Sequence, residues 1–309
     1  MPKHLAISAV ALTVLLGLSP TVRAQTTSVT TRAGNKSAQT WNDAPPDKSA
    51  YTGTRKRPAP RRDLSGIWNG GAEGGVQAKG VLEHPALMAG HPADEVGAQP
   101  DENNIIHPLP YTPLGLAALQ AHKPAVGVRA VGPGLQNNPV DICDPIGFPQ
   151  MELFEFRVAE LAQTKNQVLF LNQFDDSWRV IWTDGRALPD PHNIEPRWNG
   201  YSVGKWVDDY TFVAETVGID ERTWLDNAGR PHTIDMRVEE RFHRVDYETL
   251  ELTVTINDPK YYTQPWQALN KFVLHRLPDA FDMEEFMCSP SETADYNKSI
   301  GNPASAPQK

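Results

Sequence analysis

The stretch MRVEERFHRVDYETLELTVTI, residues 236–256, carries the fold in its alternation. In its second half Leu250, Leu252, Val254 and Ile256 alternate with Glu251, Thr253 and Thr255. A period of two is the signature of a strand with one buried face. In its first half Met236, Val238 and Phe242 share one parity, and Arg237, Glu239, Arg241 and His243 the other. The residues between, 245–248, suit a turn, so the whole reads as a hairpin. The same parity puts Glu240 on the apolar face. A carboxylate there must be paired or hydrogen-bonded, or its pKa must rise. Two readings follow for Glu240: an unusual acid, or the partner of an inward arginine.

Working outward, the period-two pattern recurs in MELFEFR (151–157), VLFLNQF (168–174) and SWRVIWT (177–183). YSVGKW and TFVAETV form a second hairpin across Val207, Asp208 and Asp209, and KFVLHRL (271–277) follows the first. With DLSGIW (63–68) these make about nine short strands. The expected fold is all-β: an antiparallel up-and-down, lipocalin-like β-barrel, whose closure removes exposed edges. Helices are expected only at 113–122 and 290–299. In the first, Leu114, Ala117, Ala118 and Leu119 form the apolar stripe. The second has Ser289 as N-cap, Pro290 at its first position and Glu292 as capping-box carboxylate.

The start of the chain reads as a Sec-type signal peptide over residues 1–24. Lys3 and His4 precede an apolar run at 5–18, and Val22-Arg23-Ala24 offers a cleavage site. The protein is expected to be periplasmic or secreted, without membrane insertion. Residues 25–62, rich in Pro and basic residues, read as a disordered linker. Residues 63–299 read as one barrel domain with a loop excursion at 71–110, and 300–309 as a tail. The full chain has a formal net charge of −9. From Asp63 onward acids outnumber bases heavily, which disfavours nucleic acid as a partner. The chain holds two cysteines, Cys143 and Cys288. In an oxidising compartment they are expected to pair, closing a loop worth about 5 kcal/mol in the ideal model. Neither has a second Cys or His at ligand spacing. His84, His91 and His107 in the excursion fit no compact metal motif, so no metal or other cofactor is expected.

Candidate site residues cluster where strands end, between Trp178 and Glu240. Trp182, Asp184 and Arg186 form a strand end and a tight turn, with Arg186 a planar fork for a carboxylate or sugar oxygen. Trp198 and Tyr201, near a Gly-containing turn, suit stacking on a ring or sugar face. Trp224, Asp226 and His232 share one loop, where Asp226 would orient His232 as an acid–base pair near neutral pH. Arg241 stands beside Glu240. The chain has no G-x-S-x-G elbow and no H-E-x-x-H helix, which argues against a serine hydrolase or zincin.

Eight segments together resemble the successive motifs of a large family of exported bacterial proteins. They are DLSGIW, NNPVDICDPIGFP, IWTDGRALP, WNGYSVGKW, TWLDNAGRPHT, RVEERFHRVD, TINDPKYYTQPW and CSPSE. The resemblance covers residues 63–70 and 137–298. It implies a lipocalin-like barrel and an exported location, and it carries no established activity. Asp184, Arg186, Tyr201, Trp224, Asp226, His232, Glu240 and Arg241 fall on its motif positions. The chain departs from it in the loop between Trp68 and Pro110, at PLGLAAL, and at His192. The leading expectation is an exported barrel that binds a small apolar, aromatic or sugar-like molecule at its mouth. The alternative is an enzyme of lyase, isomerase or hydrolase type using His232 with Asp226 and Glu240. A third is an envelope interaction protein working through the basic arm. The oligomeric state stays open.

Overall fold

The computed structural model describes residues 57–70, 99–100, 106–107, 109–125, 129–153 and 158–305. The signal-peptide reading, most of the linker and most of the excursion lie outside these. Among the described residues nine strands close a barrel in the order β1-β11-β10-β9-β8-β7-β6-β5-β4. They are β1 (Gly66–Asn69), β4 (Ala159–Gln163), β5 (Gln167–Asn172), β6 (Ser177–Trp182), β7 (Tyr201–Trp206), β8 (Thr211–Val217), β9 (Arg237–Arg244), β10 (Thr249–Asn257) and β11 (Trp266–Arg276). Strands β2 (Gln99–Pro100) and β3 (Ile106–His107) form a separate two-stranded ladder inside the expected excursion.

The barrel departs from a strict up-and-down meander at one seam, and parity is the reason. Strand β1 runs antiparallel to both of its neighbours, β11 and β4. A closed ring with an odd number of strands cannot alternate all the way round, so one adjacent pair must share a direction. That pair is β6 and β7, with Ile181 opposite Ser202 and Trp182 opposite Val203. Parallel neighbours need a long crossover instead of a hairpin. Residues 183–200 supply it, which returns the chain to the end from which β6 began.

The hairpin of β9 and β10 has the expected register, with Glu240 opposite Val254 and Phe242 opposite Leu252. Val238, Glu240, Phe242 and Arg244 are buried and alternate with more accessible residues. At the upper end Trp68 is fully buried and donates its indole N–H to Leu64 O at 3.0 Å. The Arg244 guanidinium lies 4.4 Å from that ring and bonds the carbonyls of Asp246 and Tyr247. Burial lowers its pKa to about 10.

The lower end, where β8 and β10 finish, is filled by a plug. Residues 151–153 were expected to be a strand, but Gln150–Leu153 is a helical turn, α2, and β4 starts later. Pro149 explains this: its carbonyl accepts from Glu152 N and Leu153 N, so the chain coils just after the proline. Met151, Glu152 and Leu153 are all buried. Gly147 has φ +68°, and a Cβ there would meet Trp198 O at 2.8 Å, so the plug and the crossover touch backbone to backbone.

Helix α1 (Pro113–Ala121) forms as expected, capped by Thr112 Oγ1, which accepts from Gly115 N at 3.0 Å. Its buried stripe differs from the expected one. Gly115 and Leu119 face inward, while Leu114 is 59% exposed. The close approach of Tyr261 sets that rotation: a Cβ on Gly115 would lie 2.2 Å from Tyr261 O. The C-terminal helix α3 (Pro290–Tyr296) continues through a π-turn (Asn297–Gly301) into a last turn, Asn302–Ser305. Ser289 sits at the N-cap position but makes no capping hydrogen bond with its side chain. Cys143 and Cys288 are joined, 5.4 Å apart at Cα. No helix among the described residues is long and apolar enough to cross a membrane.

The Gly115→Ala change separates propensity from packing. Propensity alone would stabilise α1 by roughly 1 kcal/mol. The clash with Tyr261 should outweigh this and destabilise the fold by about 1–3 kcal/mol. A urea midpoint above that of the wild type would contradict the packing.

Candidate functional site

The candidate residues separate into three environments. The first is the barrel interior, where β9 places Glu240. Arg179 Nη2 donates to both carboxyl oxygens of Glu240, each at 2.6 Å. A second carboxyl enters from the plug: Glu152 Oε1 lies 3.7 Å from Arg179 Nη1. The Phe148 ring lies 3.9 Å from the guanidinium carbon. All three charged side chains are essentially fully buried. One guanidinium thus faces two carboxyl groups, and ionising both would bury a net negative charge. Burial, reinforced by Glu240 and partly offset by Arg179, raises the Glu152 pKa well above the usual carboxylate range. Glu152 is therefore the carboxyl whose ionisation this burial opposes. Arg179 Nε and Nη1 have no hydrogen-bond partner among the described residues, while the Glu152 carboxyl faces Glu240 as well as Arg179. Of the two readings of Glu240, the pairing with an inward arginine is the one found.

The second environment is the connection from β8 to β9, residues 218–236. Asp226 is buried in an ion pair with Arg230 and also accepts from Ala228 N at 3.0 Å. His232 is 3% exposed. Its Nε2 is 2.7 Å from Thr223 Oγ1 and its Nδ1 is 3.2 Å from Thr233 O. No hydrogen bond joins His232 to Asp226 or Glu240. Burial lowers its pKa, against the raised value that a carboxylate partner would give. Trp224 is buried and stacks on His122 with centroids 4.7 Å apart. Tyr111 and Tyr262 pack beside this loop, and burial pushes the Tyr111 hydroxyl up to about 12. The loop is a packed foundation for the plug, with its polar groups turned inward.

The third environment is the outer wall and the lower rim. Asp184 and Arg186 satisfy each other across the Gly185 turn, with Arg186 Nη2 donating to Asp184 Oδ2 at 2.6 Å. Arg186 also lies 3.6 Å over Trp182. Tyr201 is covered by Arg197 at 4.0 Å and donates its hydroxyl to Glu195 O. Arg241 is exposed on the outer face, the opposite side of β9 from Glu240. Trp198 lies 4.3 Å under Arg222, whose fork holds Asp220 through Nε at 3.0 Å and Nη2 at 2.7 Å.

Arg222 is also a wall of an open groove of about 620 Å³. The groove runs between the segment from Gly134 to Asp144 and the C-terminal segment from Tyr296 to Asn302. The disulfide staples these two sides, because Cys143 follows the 3-10 turn Pro139–Ile142 and Cys288 precedes α3. Asn137 and Asn138 are occupied with backbone groups: Asn137 accepts from Lys123 N at 2.7 Å, and Asn138 from Val140 N at 3.3 Å. Gln136, Asp141, Asp144, Asn297 and Asn302 also line the groove, and their side chains make no hydrogen bond among the described residues. Asp141 is exposed as a residue, yet neighbouring atoms strip enough water from its carboxyl to raise its pKa. Of the sequence-derived candidates, only Trp198 touches this groove, and it does so through Arg222. Its lining comes from segments that sequence patterning passes over, because turns and a helix end carry no period.

The chain matches no family model, no curated protein and no solved structure.

The buried trio has a definite pH signature. Folded Glu152 holds its proton more tightly than unfolded Glu152. Its contribution to stability is therefore complete below the unfolded pKa and is lost as pH rises toward the folded value, at about 1.4 kcal/mol per pH unit. Glu152→Gln stays neutral at every pH. Its stability advantage over the wild type should grow from acid to neutral pH, read from urea melts at several pH values; a constant difference would sink the assignment. Glu240→Ala leaves Arg179 buried without its bonded partner and should cost about 3–5 kcal/mol.

Proposed function

We propose that this chain is an exported β-barrel protein that binds a small molecule in the groove beside its plugged lower end. The observation that carries this reading is the convergence of Gln136, Asp141, Asn297, Asn302 and the facing charges of Asp144 and Arg222 on one concave, disulfide-framed surface. Binding sites are concave and hold a few polar groups free to meet a ligand. The groove's volume of about 620 Å³ falls within the usual range for such sites.

The signal-peptide pattern and the Cys143–Cys288 bond both suit an oxidising, extracytoplasmic setting. The motif resemblance to exported bacterial proteins supports the same address. A ligand site at the barrel mouth has less behind it, because Met151, Glu152 and Leu153 occupy the lower end. The acid–base reading has no contact in its favour, since His232, Asp226 and Glu240 each keep other partners.

A protein-observed NMR screen of small polar and apolar fragments against the isotope-labelled, disulfide-intact protein tests the proposal. Fragments that bind should shift backbone resonances of Asp141, Asp144, Asn297 and Asn302, and leave the Trp224 indole unmoved. Reducing the disulfide should weaken them by loosening one wall of the groove. Hits that shift only barrel-interior residues would overturn the assignment.

A further inference from the structure

The groove's lining restricts the chemistry of its occupant. Asp141 and Asp144 offer acceptors, Arg222 offers donors, and Gln136, Asn297 and Asn302 offer both. An apolar molecule would desolvate these groups and return no hydrogen bonds. An anion would meet two carboxylates, Asp141 and Asp144, against the single guanidinium of Arg222. A compact cation would answer the carboxylates and leave the amide donors idle. A hydroxyl group is at once one donor and two acceptors, so a molecule dense in hydroxyls meets all three kinds of group together.

The groove also has apolar members, Pro139, Ile142 and Tyr296, which can meet the C–H face of a ring. Tyr296 stands 44% exposed at the groove. Its flat face can lie against the C–H face of a saturated ring while its hydroxyl stays wet. Arg222 is fixed from two sides, by Asp220 and by Trp198 at 4.3 Å. A guanidinium so held loses little further freedom when it donates to a ligand oxygen. Amide and carboxylate planes also present paired atoms at a spacing that two adjacent ring hydroxyls can bridge.

We infer that the occupant of the groove is a neutral, polyhydroxylated ring compound, a short oligosaccharide, held by Asp144, Asn297 and Asn302 with a ring resting on Tyr296. This rests on the groove being the ligand site. It goes further in naming hydroxyl recognition as what the site performs and neutral sugars as what it selects.

Titration calorimetry of the full, disulfide-intact chain against a soluble panel provides the test. The probes are cellobiose, maltotriose and di-N-acetylchitobiose as neutral sugars, a glucuronic-acid disaccharide as an anion and glucosamine as a cation. At least one neutral oligosaccharide should bind saturably, and more tightly than both charged probes. Asp144→Ala and Asn302→Ala should each weaken it by about tenfold, the size expected for a lost hydrogen bond to a charged or amide group. Tyr296→Ala should weaken it several-fold, and Trp178→Ala, on the outer face of β6, should leave it unchanged. Circular dichroism and melting of each variant keep misfolding apart from lost contacts. If no sugar binds while other fragments still map to the groove, the sugar inference falls and the site assignment stands. If a sugar binds and the groove variants bind it equally well, both fall.

Discussion

One guanidinium shared by two carboxyl groups holds the architecture in register. Arg179 projects from β6, Glu240 from β9 across the interior, and Glu152 from the plug below. The trio therefore ties two separated strands and α2 at a single point. Buried ion pairs add little net stability over well-packed apolar residues, but a broken one is expensive. That asymmetry gives the plug one preferred seat, because any displacement of Glu152 or Arg179 strands a buried polar group. The seat of α2 in turn fixes Gly147 against Trp198, and Phe148 N donates to Trp198 O at 2.9 Å.

From that contact the consequences run outward. Trp198 ends the crossover forced by the parallel seam, and its ring supports Arg222. Arg222 forms one wall of the groove, whose other walls are the Cys143 segment and the C-terminal helix. The barrel acts as a rigid frame. The groove is built on the parts that close its lower end, where chain segments far apart in sequence meet. Loops mounted on a rigid scaffold commonly carry function in this way.

The strands were legible because burial on one face imposes a period that survives sequence noise. Residues 249–256 alternate without exception, and the inward position of Glu240 followed from parity alone. The disulfide was legible from the cysteine count and from the export that the N-terminal pattern leads one to expect. Arg179 was missed although it shares parity with Ile181, because the Trp178, Val180 and Trp182 face of β6 looks more apolar. In the fold that face points outward, and Trp178 is 63% exposed. Glu152 was missed because the alternation of residues 151–157 resembles a strand, and Pro149 overrides it. The His232–Asp226 pairing failed for a local reason. A nearby arginine, Arg230, captures the carboxylate, and Thr223 and Thr233 take the imidazole. The odd strand number could not be read from any single segment, since it is a property of ring closure.

The disulfide also sorts the strands under mechanical load. Cys143 and Cys288 lie 145 positions apart, and β4 to β11 all fall inside the loop they close. Strand β1 alone, among the barrel strands, lies outside it. Tension applied to the two ends of the chain would pass through β1, reach Cys143, cross the sulfur bridge and leave from Cys288. Eight strands are thereby shielded from the pull. The first element to peel is β1, held through short ladders to β4 and β11. For a chain drawn by its ends, the barrel behaves as a covalently closed core with one detachable stave.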